Sequence, residues 1–238
     1  MLCMMMSTIP FYYLTLETYY LGVLNLPPFS GPDDASIAHF LVHMYTAYCG
    51  SVALWQQEFN FLGFGELRTI HLGLYVVSML EIFSVISGVT TNLWHARNSE
   101  GFQKAWPGKR YFFSHVSYMA SLCTVFMGYV IISPTVMHKY PIAMMFAYGS
   151  QFLQGTLRAL ISGVTREKYQ PYRRTNTTMW SLMIINAFSI IVLGHVLIDE
   201  LVLVVLMNLI GWGAIAHQVY WTIQDFKRVL GIRMFRIK

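Results

Sequence analysis

Charge is what this chain has least of. Only 11% of its residues are Asp, Glu, Lys or Arg, while 55% are hydrophobic; a soluble globular domain carries roughly 25% charged residues. That excludes a water-soluble globule. Cysteine is scarce too: Cys3, Cys49 and Cys123 all lie in apolar stretches without repeated spacing, which excludes a disulfide framework and a zinc site. There is no low-complexity tract, no extended linker and no internal repeat of the kind that marks an inverted-repeat transporter. Aspartate occurs four times, as Asp33, Asp34, Asp199 and Asp225, and none is followed by Gly.

What the chain does have is apolar length. Six stretches of about twenty residues, each long enough to cross a hydrocarbon core of about 30 Å, run at Ser36–Trp55, Ile70–Leu93, Phe112–Ile132, Pro141–Val164, Thr178–Ile198 and Leu201–Ile223. Met179–Ile198 and Leu201–Ile215 are apolar without the alternation that a transmembrane β-barrel requires. The expected fold is all-α, a polytopic membrane bundle of six full spans preceded by a partial N-terminal helix. One membrane domain is expected over 36–238, ending in a basic cytosolic tail, with 1–35 forming the partial helix and a cytosolic interfacial segment.

Positive charge sets the orientation. Arg97, Lys104, Lys109 and Arg110 follow the second span; Arg166, Lys168, Arg173 and Arg174 follow the fourth; Lys227, Arg228, Arg233, Arg236 and Lys238 occupy the tail. These regions are expected in the cytosol. The alternate connections hold Arg68 alone, Lys139 alone, or no positive charge between Ile198 and Leu201. A net charge of +5 distributed in this way serves topology, not a nucleic-acid face.

Met1–Leu16 is apolar but short, is interrupted by Pro10, and lacks the positive start of a signal peptide. It reads as the end of a helix. Glu17–Pro28 suits a short interfacial helix at the headgroups, and Ser30-Gly31-Pro32-Asp33-Asp34 a turn that caps the first full span.

The order of Ile9-Pro10-Phe11, Leu16-Glu17, Tyr19-Tyr20, Leu24, Leu26-Pro27 and Gly31-Pro32-Asp33-Asp34 resembles the middle of eukaryotic choline and ethanolamine phosphotransferases of the CDP-alcohol phosphotransferase family. The resemblance continues through Val89-Thr90-Thr91-Asn92, Tyr140-Pro141, Arg158, Asp199-Glu200-Leu201, Leu230-Gly231-Ile232 and Phe235-Arg236-Ile237. It implies transfer of phosphoethanolamine or phosphocholine from a CDP-alcohol to diacylglycerol during phospholipid synthesis, in the endoplasmic reticulum or Golgi, with a cytosolic C-terminus. It also implies CDP-ethanolamine or CDP-choline, diacylglycerol and phospholipid as partners, and is compatible with a homodimer.

The family's catalytic signature, Asp-Gly-x2-Ala-Arg-x8-Gly-x3-Asp-x3-Asp, would fall before residue 1 and is absent. In the family those acids hold two divalent metals, so Mg or Mn is implied for a complete enzyme and none for this chain alone. A pyrophosphate displacement needs cations to neutralise the phosphates and the leaving oxygen, so this chain alone is expected to be inactive. Asp34 and Ala35 depart from the family's Gly-Pro-x-Glu-Gly, and Ile142 stands where some members have His after Tyr-Pro.

No catalytic or metal-binding residue is assigned. Substrate-binding candidates are Asp34, His39, His43, Glu81, Arg158 and His217, polar groups at or within spans where ionisable side chains are costly. His39 and His43 share a helix face, and with His115, Arg158 and His217-Gln218 they fall in the half of the spans nearest the cytosol. Interhelical hydrogen bonding explains the His pair more simply than a metal does, because no carboxylate or Cys accompanies it. Arg158 equally suits snorkelling to headgroups, and Glu81 a structural or hydrating role.

A non-catalytic lipid-binding or partner-binding derivative of the family is the alternative reading. A channel or transporter is a third, which no half-helix signature supports. The topology is directly testable. Asn176-Thr177-Thr178, the chain's one Asn-x-Ser/Thr sequon, is expected to stay unmodified in microsomes, while a sequon engineered around Asn60 is expected to show an endoglycosidase-sensitive gel shift. A shift at Asn176 inverts the orientation.

Overall fold

The computed structural model describes residues 2–22, 40–41, 44–50, 58–60, 66–68, 79, 82–83, 86–92, 94 and 109–231. They divide into two compact units, Leu2–Lys109 and Arg110–Lys238.

In the first unit, α1 (Leu2–Leu21) continues through Pro10. Pro10 lacks the N–H that an interior helical residue donates, yet the ladder holds on either side. The Thr8, Thr15 and Thr18 hydroxyls donate back to the carbonyls of Met5, Phe11 and Leu14 at 2.8–3.0 Å, so these polar groups are satisfied within the helix. Gly22 ends it in the left-handed region at φ 71°, its N–H on Thr18 O at 2.8 Å. The expected break between Leu16 and Glu17 is therefore corrected, since one helix runs through both to Leu21; the rest of the expected interfacial segment, residues 23–28, lies outside the described residues. Tyr19 and Tyr20 extend its buried side beyond Glu17.

Residues 44–49 and 86–92 are helical. The remainder of the two expected spans at 36–55 and 70–93, apart from residues 40–41, 50, 79 and 82–83, lies outside the described residues. Between them β1 (Glu58–Asn60) and β2 (Glu66–Arg68) pair antiparallel, Glu58 opposite Arg68 and Phe59 opposite Leu67. This hairpin adds a small β element to the expected all-α fold. Phe59 and Leu67 on either side of Gly63 and Gly65 suit it.

The second unit contains α2 (Lys109–Ile132), α3 (Pro134–Lys139), α4 (Pro141–Thr165), α5 (Arg174–Leu193) and α6 (Glu200–Leu230). Pro134 stops α2, because the residue before a proline is pushed out of helical geometry. Pro134 and Pro141 then begin α3 and α4, where a missing N–H is tolerated. Gly194 at φ 72° closes α5 and Gly231 at φ 62° closes α6. Asp199 caps α6 by accepting from Leu201 N and Val202 N. Lys227 and Arg228 sit in its last turn, where the helix dipole favours cations.

The four long helices alternate in direction. Tyr118 meets Asn176 and Tyr129 meets Asn186, so α2 and α5 run parallel; Asn208 reaches Ala143 and Gln218 reaches Arg158, so α4 and α6 also do.

Phe112–Ile132, Arg174–Leu193 and Glu200–Val229 are long and apolar enough to cross a membrane. They correspond to the expected third, fifth and sixth spans. The fifth stops five residues early at Gly194, and the sixth runs on to Leu230. The fourth forms a helix of 25 residues, about 37 Å long at 1.5 Å per residue. It is not among the three: Ser150, Gln151, Gln154 and Thr156 interrupt its apolar run, and all four are buried. Its polar side faces protein. On α5, by contrast, Ile184, Phe188 and Ile191 are exposed, a continuous apolar face that water would not tolerate and lipid does. The second unit is a membrane-embedded helix bundle.

Its interior is held by polar side chains crossing between helices. Tyr118 OH donates to Gln151 O at 3.0 Å and accepts from Asn176 Nδ2 at 3.0 Å, tying α2 to α4 and α5. Asn186 donates to Tyr129 OH at 2.9 Å and accepts from Leu197 N and Ile198 N at 3.0 Å, clamping the α5–α6 connection. Ser133 and Thr135 donate to Glu200, locking α3 to the start of α6.

Two glycines allow the close approach. A Cβ on Gly155 would lie 2.6 Å from the Tyr118 ring, and one on Gly211 would collide with Ser150, whereas Gly213 has open space. Gly211→Val is expected to lower stability by about 1–3 kcal/mol through overpacking, and Gly213→Val to leave it within about 1 kcal/mol. Denaturation midpoints in mixed micelles check the pair.

Candidate functional site

An open cleft of about 730 Å³ lies among α4, α5 and α6, lined by the Arg158, Arg173, Arg174 and His217 side chains. Helix periodicity gathers them. Gln154 and Arg158 are one turn apart on α4, while Ile210, Ala214 and His217 follow one face of α6 at spacings of four and three. Arg173 and Arg174 come from the first residues of α5 and the connection before it.

That connection is fixed against α2. The His115 Nε2–H donates to Tyr169 O at 2.9 Å, and the imidazole packs 4.8 Å from the Tyr169 ring. Tyr172 OH meets Ser117 Oγ at 2.9 Å and Ser121 Oγ at 3.1 Å. Asn176 Nδ2 also reaches Pro171 O at 3.4 Å. Tyr172 in turn contributes to the cleft wall, and Gln170 lies beside it.

Arg158 Nε donates to Gln218 Oε1 at 3.0 Å across the α4–α6 interface. This sets the guanidinium plane and uses one of its five N–H groups. His217 Nε2 accepts from Trp221 Nε1 at 3.0 Å; indole N–H is only a donor, so neutral His217 carries its proton on Nδ1. On the floor Gln154, 1% exposed, bonds to Thr175 Oγ1 at 3.2 Å. The lining contains no Asp or Glu, and among the described residues no carboxylate pairs with Arg158, Arg173 or Arg174. Three guanidiniums, a donor imidazole and the uncapped N-terminus of α5 can hold an oxyanion.

Of the residues singled out in the sequence, Arg158 and His217 are brought to this one cleft. Asp34, His39, His43 and Glu81 lie outside the described residues. His115 fixes the connection from the side of α2 and does not line the cleft. Sequence reasoning assigned Arg173 and Arg174 to topology alone and passed over Gln154 and Tyr172; adjacency to a span boundary was the signal available. Among the described residues no group of three or more His, Cys, Asp or Glu gathers in one place, so they do not fit a divalent-metal pair.

In the first unit Asn92 Nδ2 donates to Glu17 Oε1 at 2.7 Å, with Glu17 only 2% exposed. The Leu16-Glu17 and Val89-Thr90-Thr91-Asn92 stretches thus meet through a hydrogen bond between residues 75 positions apart.

Among curated proteins, the chain is similar to choline/ethanolaminephosphotransferase 1 of Arabidopsis thaliana, 29% identical over an alignment of 96 residues, with 37% of this chain and 24% of that protein covered. The match thus spans about a quarter of that relative's length. No model of a known protein family matches. The similarity points to the phosphotransferase family that the sequence motifs resemble.

The Glu17–Asn92 bond generates a stability test. Asn92→Leu is expected to cost about 1 kcal/mol, the net contribution of a typical intramolecular hydrogen bond, because Asn92 is only half-buried. Asn92→Asp is expected to cost more, since it sets a second carboxylate against Glu17. Thermal unfolding in detergent reads both.

Proposed function

We propose that this chain is the C-terminal membrane portion of an ethanolamine or choline phosphotransferase, which transfers phosphoethanolamine or phosphocholine from its CDP ester to diacylglycerol. The observation that carries the reading is the similarity to choline/ethanolaminephosphotransferase 1, in a chain whose described C-terminal unit is an apolar helix bundle. In this reading the bundle has six spans in an endoplasmic reticulum or Golgi membrane, its basic connections and C-terminus in the cytosol, and Arg158 and His217 belong to a substrate-binding region. Asp34, His39, His43 and Glu81 are proposed for the same region. CDP-ethanolamine or CDP-choline reaches it from the cytosol and diacylglycerol from the membrane; a homodimer is an allowed assembly.

Mg or Mn belongs to the complete enzyme, where it neutralises the pyrophosphate and the leaving oxygen. None of the four aspartates here is followed by Gly, so the acids that would hold it are not supplied by this chain. The same observation favours a second reading, a non-catalytic relative that binds lipid or a partner.

The purified chain, reconstituted with Mg²⁺ or Mn²⁺, either CDP-alcohol and diacylglycerol, is expected to form no phospholipid above a blank membrane. Joined to an upstream sequence carrying Asp-Gly-x2-Ala-Arg and the following acids, it is expected to do so. Metal-dependent product from the chain alone defeats the claim of inactivity, and no product from the joined protein favours the second reading.

A further inference from the structure

We propose that the cleft among α4, α5 and α6 binds the phosphate group of a membrane glycerophospholipid, held by Arg158, Arg173 and Arg174. The polarity of the cleft changes with depth. His217 and Arg158 stand toward the connection-bearing end, while Ile210 is seven residues further into the apolar body of α6, about 10 Å at helical rise. A ligand that fits presents an anion at the rim and an apolar stem beneath it. Free phosphate meets only the first condition.

The charge is strong and ready. Arg173 and Arg174 are exposed at the rim and Arg158 is half-buried, and among the described residues none has a carboxylate partner that a ligand must displace. Gln218 holds Arg158 by Nε, leaving its terminal N–H groups in the forked geometry that matches two phosphate oxygens. The α5 N-terminus adds backbone N–H groups, for which no side chain provides a cap. Tyr172, fixed by Ser117 and Ser121, keeps the arginine-bearing connection in place before any ligand arrives, which lowers the ordering cost of binding. Apolar Ile210 and Ala214 below the rim complete an amphipathic site. The site goes beyond the transferase reading, since it requires neither a CDP-alcohol nor turnover.

The test is native mass spectrometry of the delipidated full chain in detergent, titrated with dioleoyl phosphatidate, dioleoylglycerol or inorganic phosphate, with no nucleotide or metal present. Phosphatidate is expected to bind at least tenfold more tightly than either other probe. Arg158→Gln, Arg173→Gln and Arg174→Gln are each expected to weaken it about tenfold, from loss of charge-assisted bonds, with Arg228→Gln as an equally charged control that changes nothing. Arg158→Lys, keeping charge without the fork, is expected to fall between. Equal losses in Arg228→Gln, equal binding of dioleoylglycerol, or inorganic phosphate competing as well as phosphatidate each overturn the proposal. If Arg158→Gln fails to keep its helical spectrum, the exposed Arg173 and Arg174 variants decide alone.

Discussion

Everything in the bundle depends on where a buried polar group finds its partner once water is gone. In a hydrocarbon surrounding, a helix satisfies its own backbone, and the side chains then decide how helices meet. Tyr118 is the centre of that pattern. Its hydroxyl both donates to the α4 backbone and accepts from Asn176, while its ring packs within 6 Å of the Tyr172 and Trp180 rings. Gly155 makes room for it. The satisfaction is incomplete, because Gln151 Oε1, Asn176 Oδ1 and Trp180 Nε1 have no hydrogen bond among the described residues. Gln151 spends its amide on Met179 sulfur, a weak acceptor. This layer is thus held more by packing and by the Tyr118 bonds than by a closed polar network.

The same layer positions the arginines. Asn176 is anchored to Tyr118 at 3.0 Å and to Pro171 O at 3.4 Å, and it sits two residues after Arg174. Gln154, one turn from Arg158 and one from Gln151, links α4 to Thr175. The cleft rim is therefore continuous with the core, not a loop feature laid over it. Opposite ends of the bundle are treated alike, since Asn186 fixes Leu197 and Ile198 as Asn176 fixes Pro171.

Hydropathy made the third, fifth and sixth spans legible, because a lipid-facing helix must be apolar on most of its surface. The helix Lys109–Ile132 contains the expected third span, Phe112–Ile132, and ends at the same residue. Gly194 was visible in the sequence as a helix terminator, yet the apolar run Val196-Leu197-Ile198 concealed it; the chain turns there, with the Leu197 and Ile198 backbone N–H groups held by Asn186 while the Val196 and Leu197 side chains stay exposed. The helix through Glu17 was missed for a related reason. A carboxylate reads as a break in an apolar run until its partner is known, and Asn92 lies 75 residues away. Arg158 and His217 were readable as costly intramembrane groups, but no pattern in one dimension could show that Arg173 and Arg174 share their cleft.

Those two arginines show why charge counting and site chemistry are hard to separate in a membrane bundle. A cation beside a span fixes orientation through its charge alone and leaves the side chain free to do something else. The test of a second role is whether the protein has spent structure on holding it. Here it has, because His115, Ser117, Ser121 and Asn176 all fix the connection that delivers Arg173 and Arg174. A purely topological charge needs no such support. Asn176 belongs to the same support: its side chain is 1% exposed and engaged with Tyr118, so in the folded bundle it is closed to modification on either side of the membrane. Of the two sequon positions, the one near Asn60 is accordingly the discriminating reporter of orientation.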